Sequence, residues 1–351
     1  MKVYWFWQKK KMSTNSSKNK YKNNFKFKHS LGQNFITDEF LLEDIADESG
    51  ITKDDLVLEI GPGNGALTRC LCDRAKKVVA VEIDKSLIPL LKSNLKDYEN
   101  VSIINADFME LDFQTIINEF GCESDVTCRD KACEPSYGRA PEQSTSEQSE
   151  GSATKHSWGV SRVPIKVVAN LPYYITSPII NILLQNPYVS EMTLMVQKEV
   201  AERIVATPGS RDYGILTLAC NYFADTEMIM IVSKDCFFPK PKVDSAVVHF
   251  TKHPICLSST IGADTIDQHR RDECLQNPHA VDFHEPNYDQ LFKLIKASFA
   301  QRRKKLLNSL TNAGFDKDTL AHALSELGFD ENVRAENLSL DDYKKLLEFF
   351  S

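Results

Sequence analysis

Short apolar runs alternate with amphipathic segments over the first half of the chain, and this alternation limits the folds open to it. Segments with apolar residues at helical spacing, such as DEFLLEDIADESG and ALTRCLCDRA, lie beside runs that have the length and β-branched content of buried strands. The predicted strands are DLVLEI (55–60), KVVAVEID (77–84), VSIINAD (101–107), IKVVAN (165–170) and MTLMVQ (192–197). Since strands that alternate with helices form parallel sheets, the predicted fold class is α/β, with a doubly wound Rossmann-like sheet.

The last part of the chain has a helical pattern alone. The sequence YDQLFKLIKASFAQRRKKLLNSL predicts one amphipathic helix over 288–310, and shorter helices are predicted over 317–328 and 339–350. We therefore predict a sheet-containing domain over 26–253 and a small C-terminal all-α domain over 287–351.

Three polar segments fall outside this pattern. Residues 1–25 are dominated by Lys, Asn and Ser and predict a disordered basic N-terminal extension. Residues 121–163 are rich in Ser, Glu, Gly and Pro, and a structureless loop of that length is uncommon inside a compact domain. They predict a disordered surface insertion between the third and fourth strands, and residues 254–286 predict a weaker insertion or linker.

The composition indicates a cytoplasmic protein without a membrane partner. No apolar run reaches the ~18 residues of a membrane span. The N-terminal MKVYWFWQKKKM has an apolar cluster too short for a signal peptide, with its lysines on the wrong side, and we expect translation to start at Met12. The nine cysteines include no CxxC pair, which favours reduced thiols and no metal site.

Positive charge is concentrated in two places, although the chain as a whole is acidic. A net charge of −7 and an isoelectric point of about 5.7 exclude a protein that is basic overall. Residues 1–30 carry many lysines and no acid, and QRRKK (301–305) lies in the predicted C-terminal helix. Such clusters can bind phosphates while the whole chain stays acidic. The alternative for the N-terminal lysines is a solvated tail that binds nothing. The alternative for QRRKK is the solvated face of a helix.

A glycine-rich turn follows the first predicted strand. In EIGPGNG, Gly61, Gly63 and Gly65 stand between a strand and a helix, where glycine permits a positive φ and close approach of a ligand. Glu82 ends the second strand, where a carboxylate can accept hydrogen bonds from both ribose hydroxyls. Asp107 ends the third strand, in position to meet an adenine ring. The pattern predicts a nucleoside cofactor without selecting one, and a dinucleotide remains open, although its usual spacing is G-x-G-x-x-G.

The fourth strand ends in an amide that is followed by a proline and two aromatic residues, in ANLPYY. Open α/β sheets bind ligands at this edge. An adenine amino group is a poor nucleophile because its lone pair is delocalised, and acceptors for its two N–H protons would strengthen it. The Asn170 side-chain oxygen is one such acceptor. The Leu171 carbonyl is another, because Pro172 restricts Leu171 to extended geometry, and Tyr173 offers a face on which a base can stack.

These motifs, in this order, resemble those of one known family. Asn-Leu-Pro-Tyr is similar to the N-[LI]-P-[YF] signature of S-adenosylmethionine-dependent adenine-N6 methyltransferases, and the nearer resemblance is to KsgA-type small-subunit rRNA adenine dimethyltransferases. It runs from residue 28 to residue 349 apart from the two insertions. The matching segments are LGQNF, EIGPGNGALT, VEID, NAD, ANLPYYITSP, FFPKPKVDSAV, SFAQRRKKLLNSL and RAENLSLDDY. The resemblance implies a class I SAM-dependent methyltransferase sheet with a small C-terminal helical domain.

The resemblance also implies roles for individual residues. Gly61 would contact the methionine part of S-adenosyl-L-methionine, Glu82 its ribose and Asp107 its adenine amine. The full set of implied cofactor contacts is Asn34, Ile36, Gly61, Gly63, Gly65, Glu82, Asp107 and Asn170. The implied catalytic residues are Asn170, Leu171, Tyr173 and Phe237, with a base held between the last two rings, whereas Phe238 is expected in the core. The implied RNA contacts are Arg302, Arg303 and Lys304.

The function that the resemblance implies is SAM-dependent dimethylation of N6 of two adjacent adenosines in a 3′-terminal loop of small-subunit rRNA, coupled to ribosome biogenesis. The expected partner is the immature small ribosomal subunit, and the protein is expected to be a monomer. The extension at 1–25 and the insertion at 121–163 depart from the family pattern.

Three other functions remain open. A large-subunit rRNA adenine methyltransferase of the antibiotic-resistance type has the same chemistry, but usually reads N-I-P-Y and lacks a GPG loop. A DNA adenine methyltransferase usually carries a separate target-recognition domain, which is not visible in this sequence. A ribosome-assembly factor acting mainly by binding would need no intact cofactor motifs, although both roles can coexist.

Overall fold

The structure is a computed structural model. It describes residues 34–120, 164–253, 255–256, 281–282, 287–301 and 303–350. The predicted extension at 1–25, the predicted insertion at 121–163 and most of the segment at 254–286 lie outside the described residues. In the part of the chain that is described, no helix is long and apolar enough to cross a lipid bilayer.

Strands and helices alternate along the described chain up to α6. In chain order the strands are β1 (Phe35–Ile36), β2 (Leu56–Ile60), β3 (Lys77–Glu82), β4 (Val101–Asn105), β5 (Ile165–Asn170), β6 (Val189–Gln197), β7 (Ala224–Val232), β8 (Phe237–Phe238), β9 (Ser245–Lys252), β10 (Ile255–Cys256) and β11 (Val281–Asp282). The α-helices are α1 (Glu39–Glu48), α2 (Ala66–Cys72), α3 (Ile88–Asn94), α4 (Phe113–Phe120), α5 (Thr176–Gln185), α6 (Lys198–Ile204), α7 (Ile215–Phe223), α8 (Asn287–Phe299), α9 (Leu306–Asn312), α10 (Lys317–Glu326) and α11 (Leu340–Glu348).

A seven-stranded sheet in the order β4-β3-β2-β5-β6-β9-β7 forms the centre of the molecule. Strands β2 to β6 pair in parallel, which confirms the predicted doubly wound α/β class. The chain runs outward from β2 to β4, returns to β5 beside β2, and runs outward again to β6. The strand order therefore reverses between β2 and β5, and in such sheets ligands bind at the carboxyl ends of these strands.

Two strands that the sequence pattern did not indicate extend the sheet beyond β6. Strand β9 pairs antiparallel with β6, and β7 pairs antiparallel with β9 at the sheet edge. Strand β9 begins at Ser245, so the last three residues of the segment FFPKPKVDSAV belong to a strand. The short strand β8 lies in the same segment and pairs with β1, away from the main sheet.

The central strands are buried on both faces because both faces of the sheet are covered. All five residues of β2 are buried. Leu56, Leu58 and Ile60 join the core cluster on one face, and Val57 joins the cluster on the other. Alternation of side chains along a strand gives this division, and burial on both faces explains why β2 has no polar–apolar period.

The C-terminal helices pack against the sheet-containing part through aromatic rings. The ring centroids of Tyr222 on α7 and Tyr288 on α8 are 5.3 Å apart, and those of Tyr222 and Phe292 are 5.6 Å apart. Buried residues of α8 to α11 belong to the same apolar cluster as one face of the sheet. The two parts share a core, and the boundary at residue 287 stays a prediction.

The predicted helix over 288–310 is wrong in one respect, because the structure divides it into two helices. Helix α8 ends at Phe299 and α9 begins at Leu306. The Leu306 N–H donates to the Val333 carbonyl at 2.8 Å, and Lys305 before it has extended geometry. The chain therefore leaves the helix to make this long-range contact, and the basic cluster lies in a turn instead of on a helix face.

Gly65 combines a left-handed backbone with close packing, and this combination leads to a stability prediction. Gly65 has φ +80°, and a Cβ there would lie 2.8 Å from the Leu91 side chain, which is fully buried. Gly328 has φ +79° with nothing within 4 Å of a Cβ, so it serves as a matched control. We expect Gly328→Ala to cost about 1–2 kcal/mol from the left-handed backbone alone, and Gly65→Ala to cost at least about 1 kcal/mol more from overpacking.

Urea denaturation of both variants tests this expectation. Equal losses of unfolding free energy would show that Leu91 moves aside freely and that only the backbone conformation matters at Gly65.

Candidate active site

A cavity opens at the carboxyl ends of β2, β3 and β5, where the strand order reverses. Most of the predicted site residues line it, although they come from separate segments of the chain. Those lining it are Asn34, Ile36, Gly61, Gly63, Glu82, Asp107, Asn170, Leu171 and Tyr173. Gly65 and Phe237 do not line it, and neither do Arg303 and Lys304.

Glu82 is held rigidly at the end of β3. Its side chain is buried, and its two carboxylate oxygens accept hydrogen bonds from the Gly63 N–H at 3.1 Å and the Asp84 N–H at 2.8 Å. Burial raises the pKa of Glu82, and these backbone hydrogen bonds act against that shift. Each oxygen can accept a second hydrogen bond, so the fixed carboxylate can receive ligand hydroxyls.

The three glycines of the turn have different neighbours. Gly61 has φ +68°, and the space that its Cβ would take is open, so a ligand can approach its backbone closely. A Cβ on Gly63 would lie 2.5 Å from the ring of Phe35, which packs over the turn from β1. Gly65 instead makes room for helix α3. Phe35 thus helps to shape the site by packing on the glycine turn. The sequence indicated this residue only through its place in the motif LGQNF.

Asp107 lies two residues beyond the end of β4, which stops at Asn105 rather than at the predicted position. One of its carboxylate oxygens accepts a hydrogen bond from the Met109 N–H at 2.9 Å and begins a short 3₁₀ turn, Phe108–Glu110. This contact fixes the carboxylate at the cavity wall.

Asn170 is oriented by the N-terminal segment. Its side-chain Nδ2 donates to the Asn34 backbone carbonyl at 3.1 Å. Because the carbonyl needs a donor, this contact assigns the amide orientation and leaves Oδ1 as an acceptor. The Leu171 N–H donates to the Met195 carbonyl at 3.0 Å, which ties the residue after the strand to β6. Asn34 therefore positions Asn170 through its backbone carbonyl, and its predicted cofactor contact stays a prediction.

Tyr173 is fixed at its hydroxyl by a residue of β9. The Tyr173 Oη and the Ser245 Oγ are 2.7 Å apart, and Ser245 is fully buried. Burial raises the pKa of the Tyr173 phenol. Sequence reasoning placed Ser245 in a motif but gave it no role, since a contact between β9 and the turn after β5 leaves no local signal.

The structure does not place Phe237 in the cavity. It pairs with Ile36 across β1 and β8, is only 3% exposed, and belongs to an apolar cluster with Val247. Phe238, expected in the core, is instead partly exposed. The arrangement of a base between Tyr173 and Phe237 is not formed in this structure, because the Phe237 side chain is used for packing. Its stacking role stays a prediction.

The predicted RNA contacts lie in the turn between α8 and α9. Arg303 and Lys304 are exposed there, and Arg302 lies outside the described residues. Exposure on a turn leaves both described cations accessible to a large anionic partner.

Glu59 is a further cavity residue that sequence reasoning noted only as part of a motif. It is 2% exposed, and burial raises its pKa to about 8. Its Oε2 atom has no hydrogen-bond partner among the described residues, although Glu59 lines the cavity. Buried polar atoms are rarely left unpaired, so this oxygen fits a hydrogen-bonding group on a bound ligand.

The raised pKa of Glu59 leads to a pH prediction. A carboxyl whose pKa is higher in the folded state contributes stability below its unfolded value, near 4.5, and loses it as the pH rises to about 8. Glu59→Gln removes this loss, because glutamine resembles the protonated acid. The variant should be more stable than the wild type at pH 8, and the gap should widen from pH 5 to pH 8. Denaturant titrations across this range test it, and a gap independent of pH would contradict it.

Comparisons with known proteins identify the family of the chain. A family described as "Ribosomal RNA adenine dimethylase" matches residues 24–260. The chain is 40% identical to a "Ribosomal RNA small subunit methyltransferase A" of Lachnoclostridium phytofermentans, over 94% of this chain and 93% of that protein. It is 37% identical to the protein of the same name in Clostridioides difficile, over 93% and 91%.

Solved structures share the fold. A dimethyladenosine transferase from Plasmodium falciparum superposes with a TM-score of 0.60 at 24% identity, covering 90% of this chain and 97% of that one. The 23S rRNA methyltransferase ErmE gives a TM-score of 0.55 at 22% identity, with coverages of 90% and 98%. By the extent of the family match and the identity to its curated relatives, the chain belongs to the ribosomal RNA adenine dimethylase family.

Proposed function

We propose that this protein methylates N6 of two adjacent adenosines in a 3′-terminal loop of small-subunit rRNA, each of them twice, during assembly of the small ribosomal subunit. As a member of its family it is an rRNA adenine dimethyltransferase that uses S-adenosyl-L-methionine. The bacterial relatives are named for the small subunit, which supports that substrate over the large subunit. The observation that carries the proposal is the oriented Asn170 amide beside the glycine turn and Glu82.

The residues of the cavity fit S-adenosyl-L-methionine. Gly61 leaves open space at the turn, and Glu82 presents a fixed carboxylate suited to a ribose. The unpartnered oxygen of Glu59 suits a hydrogen-bonding group of the cofactor, and Asp107 suits an adenine amine. When bound, the cofactor supplies a methyl group made electrophilic by a positively charged sulfur.

The role proposed for Asn170 and Leu171 is to make the target amine reactive. The Asn170 Oδ1 atom accepts a hydrogen bond from one N6–H, because its Nδ2 atom already donates to the Asn34 carbonyl. The Leu171 carbonyl accepts the other, since Pro172 restricts Leu171 to extended geometry. Both acceptors draw the nitrogen lone pair away from the ring and toward the methyl group. The proton can leave after transfer, so no general base is required.

Tyr173 is proposed to hold the target base by stacking. The hydrogen bond to Ser245 holds the Tyr173 ring in one orientation. The base can therefore stack on the face of this ring with little loss of side-chain entropy. Unpaired loop bases suit this pocket because extruding them costs little.

The remaining features of the proposal concern the setting of the reaction. We propose that the protein acts as a cytoplasmic monomer on the immature small subunit. Arg303, Lys304 and, outside the described residues, Arg302 would contact RNA phosphates, since exposed cations on a turn can reach a backbone that side chains in the cavity cannot.

The substitution Asn170→Ala tests the chemistry. We expect methyl transfer to fall at least about a hundredfold, with binding of small subunits largely retained. The substrates are small subunits lacking adenine dimethylation, with large subunits in parallel, and primer extension maps the label. Asn100→Ala is a matched control, because the Asn100 amide also donates to backbone carbonyls but lies at the amino end of β4.

Each outcome of this experiment is informative. Label on large subunits with the wild type would contradict the proposed substrate, and retained transfer by Asn170→Ala would contradict the proposed role of the amide. Binding of small subunits without transfer by the wild type would indicate an assembly factor.

The basic turn leads to a second prediction. The double variant Arg303→Ala/Lys304→Ala should bind small subunits more weakly, and the slope of log affinity against log salt concentration should fall by about 1 per lost phosphate contact. Lys92→Ala/Lys96→Ala, which removes two exposed lysines from around α3, is the control. Filter binding at several salt concentrations measures both slopes, and equal slopes for the two variants would contradict an RNA contact at this turn.

A further inference from the structure

Two consecutive tyrosines in the turn after β5 have different environments. Tyr173 is half-buried and bound to Ser245, whereas Tyr174 is 57% exposed. Both line the cavity, so Tyr174 lies where the cavity meets the surface. In the described part of the chain, no residue hydrogen-bonds to the Tyr174 hydroxyl or stacks on its ring.

The backbone that carries Tyr174 is fixed on both sides. The Leu171 N–H is bound to the Met195 carbonyl, and the Pro172 carbonyl accepts from the Ile175 N–H at 3.3 Å and from the Thr176 hydroxyl at 3.0 Å. An exposed aromatic ring on a fixed turn can bind a flat partner with little loss of backbone entropy.

The segment before Ser245, which contacts Tyr173, carries lysines. Lys242 lies two residues before Asp244, and the Lys234 backbone lies against Asp244; neither lysine side chain forms an ion pair within the described residues. The Asp244 carboxylate accepts a hydrogen bond from the Lys234 N–H, so part of the acidic charge is already engaged. An exposed aromatic ring at the edge of a cavity that receives a base suits a single-stranded nucleic acid, because every base offers a face on which such a ring can stack.

We propose that Tyr174 stacks on the base of the nucleotide that adjoins the target adenosine. This inference rests on the proposed function. Moving one of two adjacent adenosines into the cavity removes a stacking partner from the other, and the Tyr174 ring replaces it at the rim. Tyr173 and Tyr174 would then hold consecutive bases, one inside the cavity and one at its edge, and Tyr174 is a positioning residue rather than a catalytic one.

The experiment compares Tyr174→Ala with Tyr174→Phe on small subunits lacking adenine dimethylation. We expect Tyr174→Ala to lower kcat/KM for the subunit about tenfold, mainly through KM, because stacking on an aromatic ring has about this value. Tyr174→Phe should keep nearly full activity, and the KM for S-adenosyl-L-methionine should not change in either variant. Ile231→Ala is the control, because Ile231 is 50% exposed but lies on the edge strand β7, away from the cavity.

Subunits whose rRNA carries an abasic nucleotide beside one target adenosine complete the design. On this substrate the kcat/KM of the wild type should fall by about the same factor as Tyr174→Ala causes on intact subunits. The kcat/KM of Tyr174→Ala should fall little further, since the two changes remove the same contact. Additive losses would overturn the proposal, as would full activity of Tyr174→Ala or an effect confined to the KM for S-adenosyl-L-methionine. Failure of the wild type to methylate intact subunits would instead overturn the proposed function.

Discussion

The parallel pairing of β2 with β5 is the contact on which the site depends. Its register sets Ile60 opposite Ala169, so the glycine turn that starts at Gly61 and the amide of Asn170 come out of the sheet side by side. These residues are more than a hundred positions apart in the chain. The pairing also creates the point at which the strand order reverses, where helices leave in opposite directions and open a crevice. A slip of one residue would reverse the facing of every side chain on β5.

The N-terminal segment completes what the sheet begins. The Asn34 carbonyl orients the Asn170 amide, and the ring of Phe35 packs against Gly63. Strand β1 is held in place by β8, and Thr37 donates to the Cys236 carbonyl. The segments before β2 and after β7 are thereby coupled to the turn after β5. Because of this coupling, the orientation of the Asn170 amide and the packing at Gly63 depend on parts of the chain far from the glycine turn.

Two buried acidic side chains line the cavity, and the protein does not supply hydrogen-bond partners for all of their oxygens. Glu82 is supported by two backbone N–H groups, but Glu59 keeps an unpartnered oxygen and a pKa raised to about 8. Burying such groups costs stability in the absence of a ligand. A bound ligand that donates hydrogen bonds recovers part of this cost, so binding and folding stability are expected to be linked. Sites of this kind are often less stable than the scaffold that supports them.

The sequence by itself determined the parallel strands and the position of the glycine turn, because these depend on short-range periodicity and on residue types with restricted conformations. It also pointed to Glu82, Asp107 and Asn170 at or just beyond strand ends, whereas Asn34 and Ile36 were implied only by the resemblance to a known family. It could not determine the break between α8 and α9, the antiparallel strands β7 and β9, or the burial of Phe237. The bond between Leu306 and Val333, the pairing of β9 with β6 and the contact of Tyr173 with Ser245 all join residues distant in the chain. Such contacts leave no local pattern, and only the packed tertiary structure selects them over the local preference.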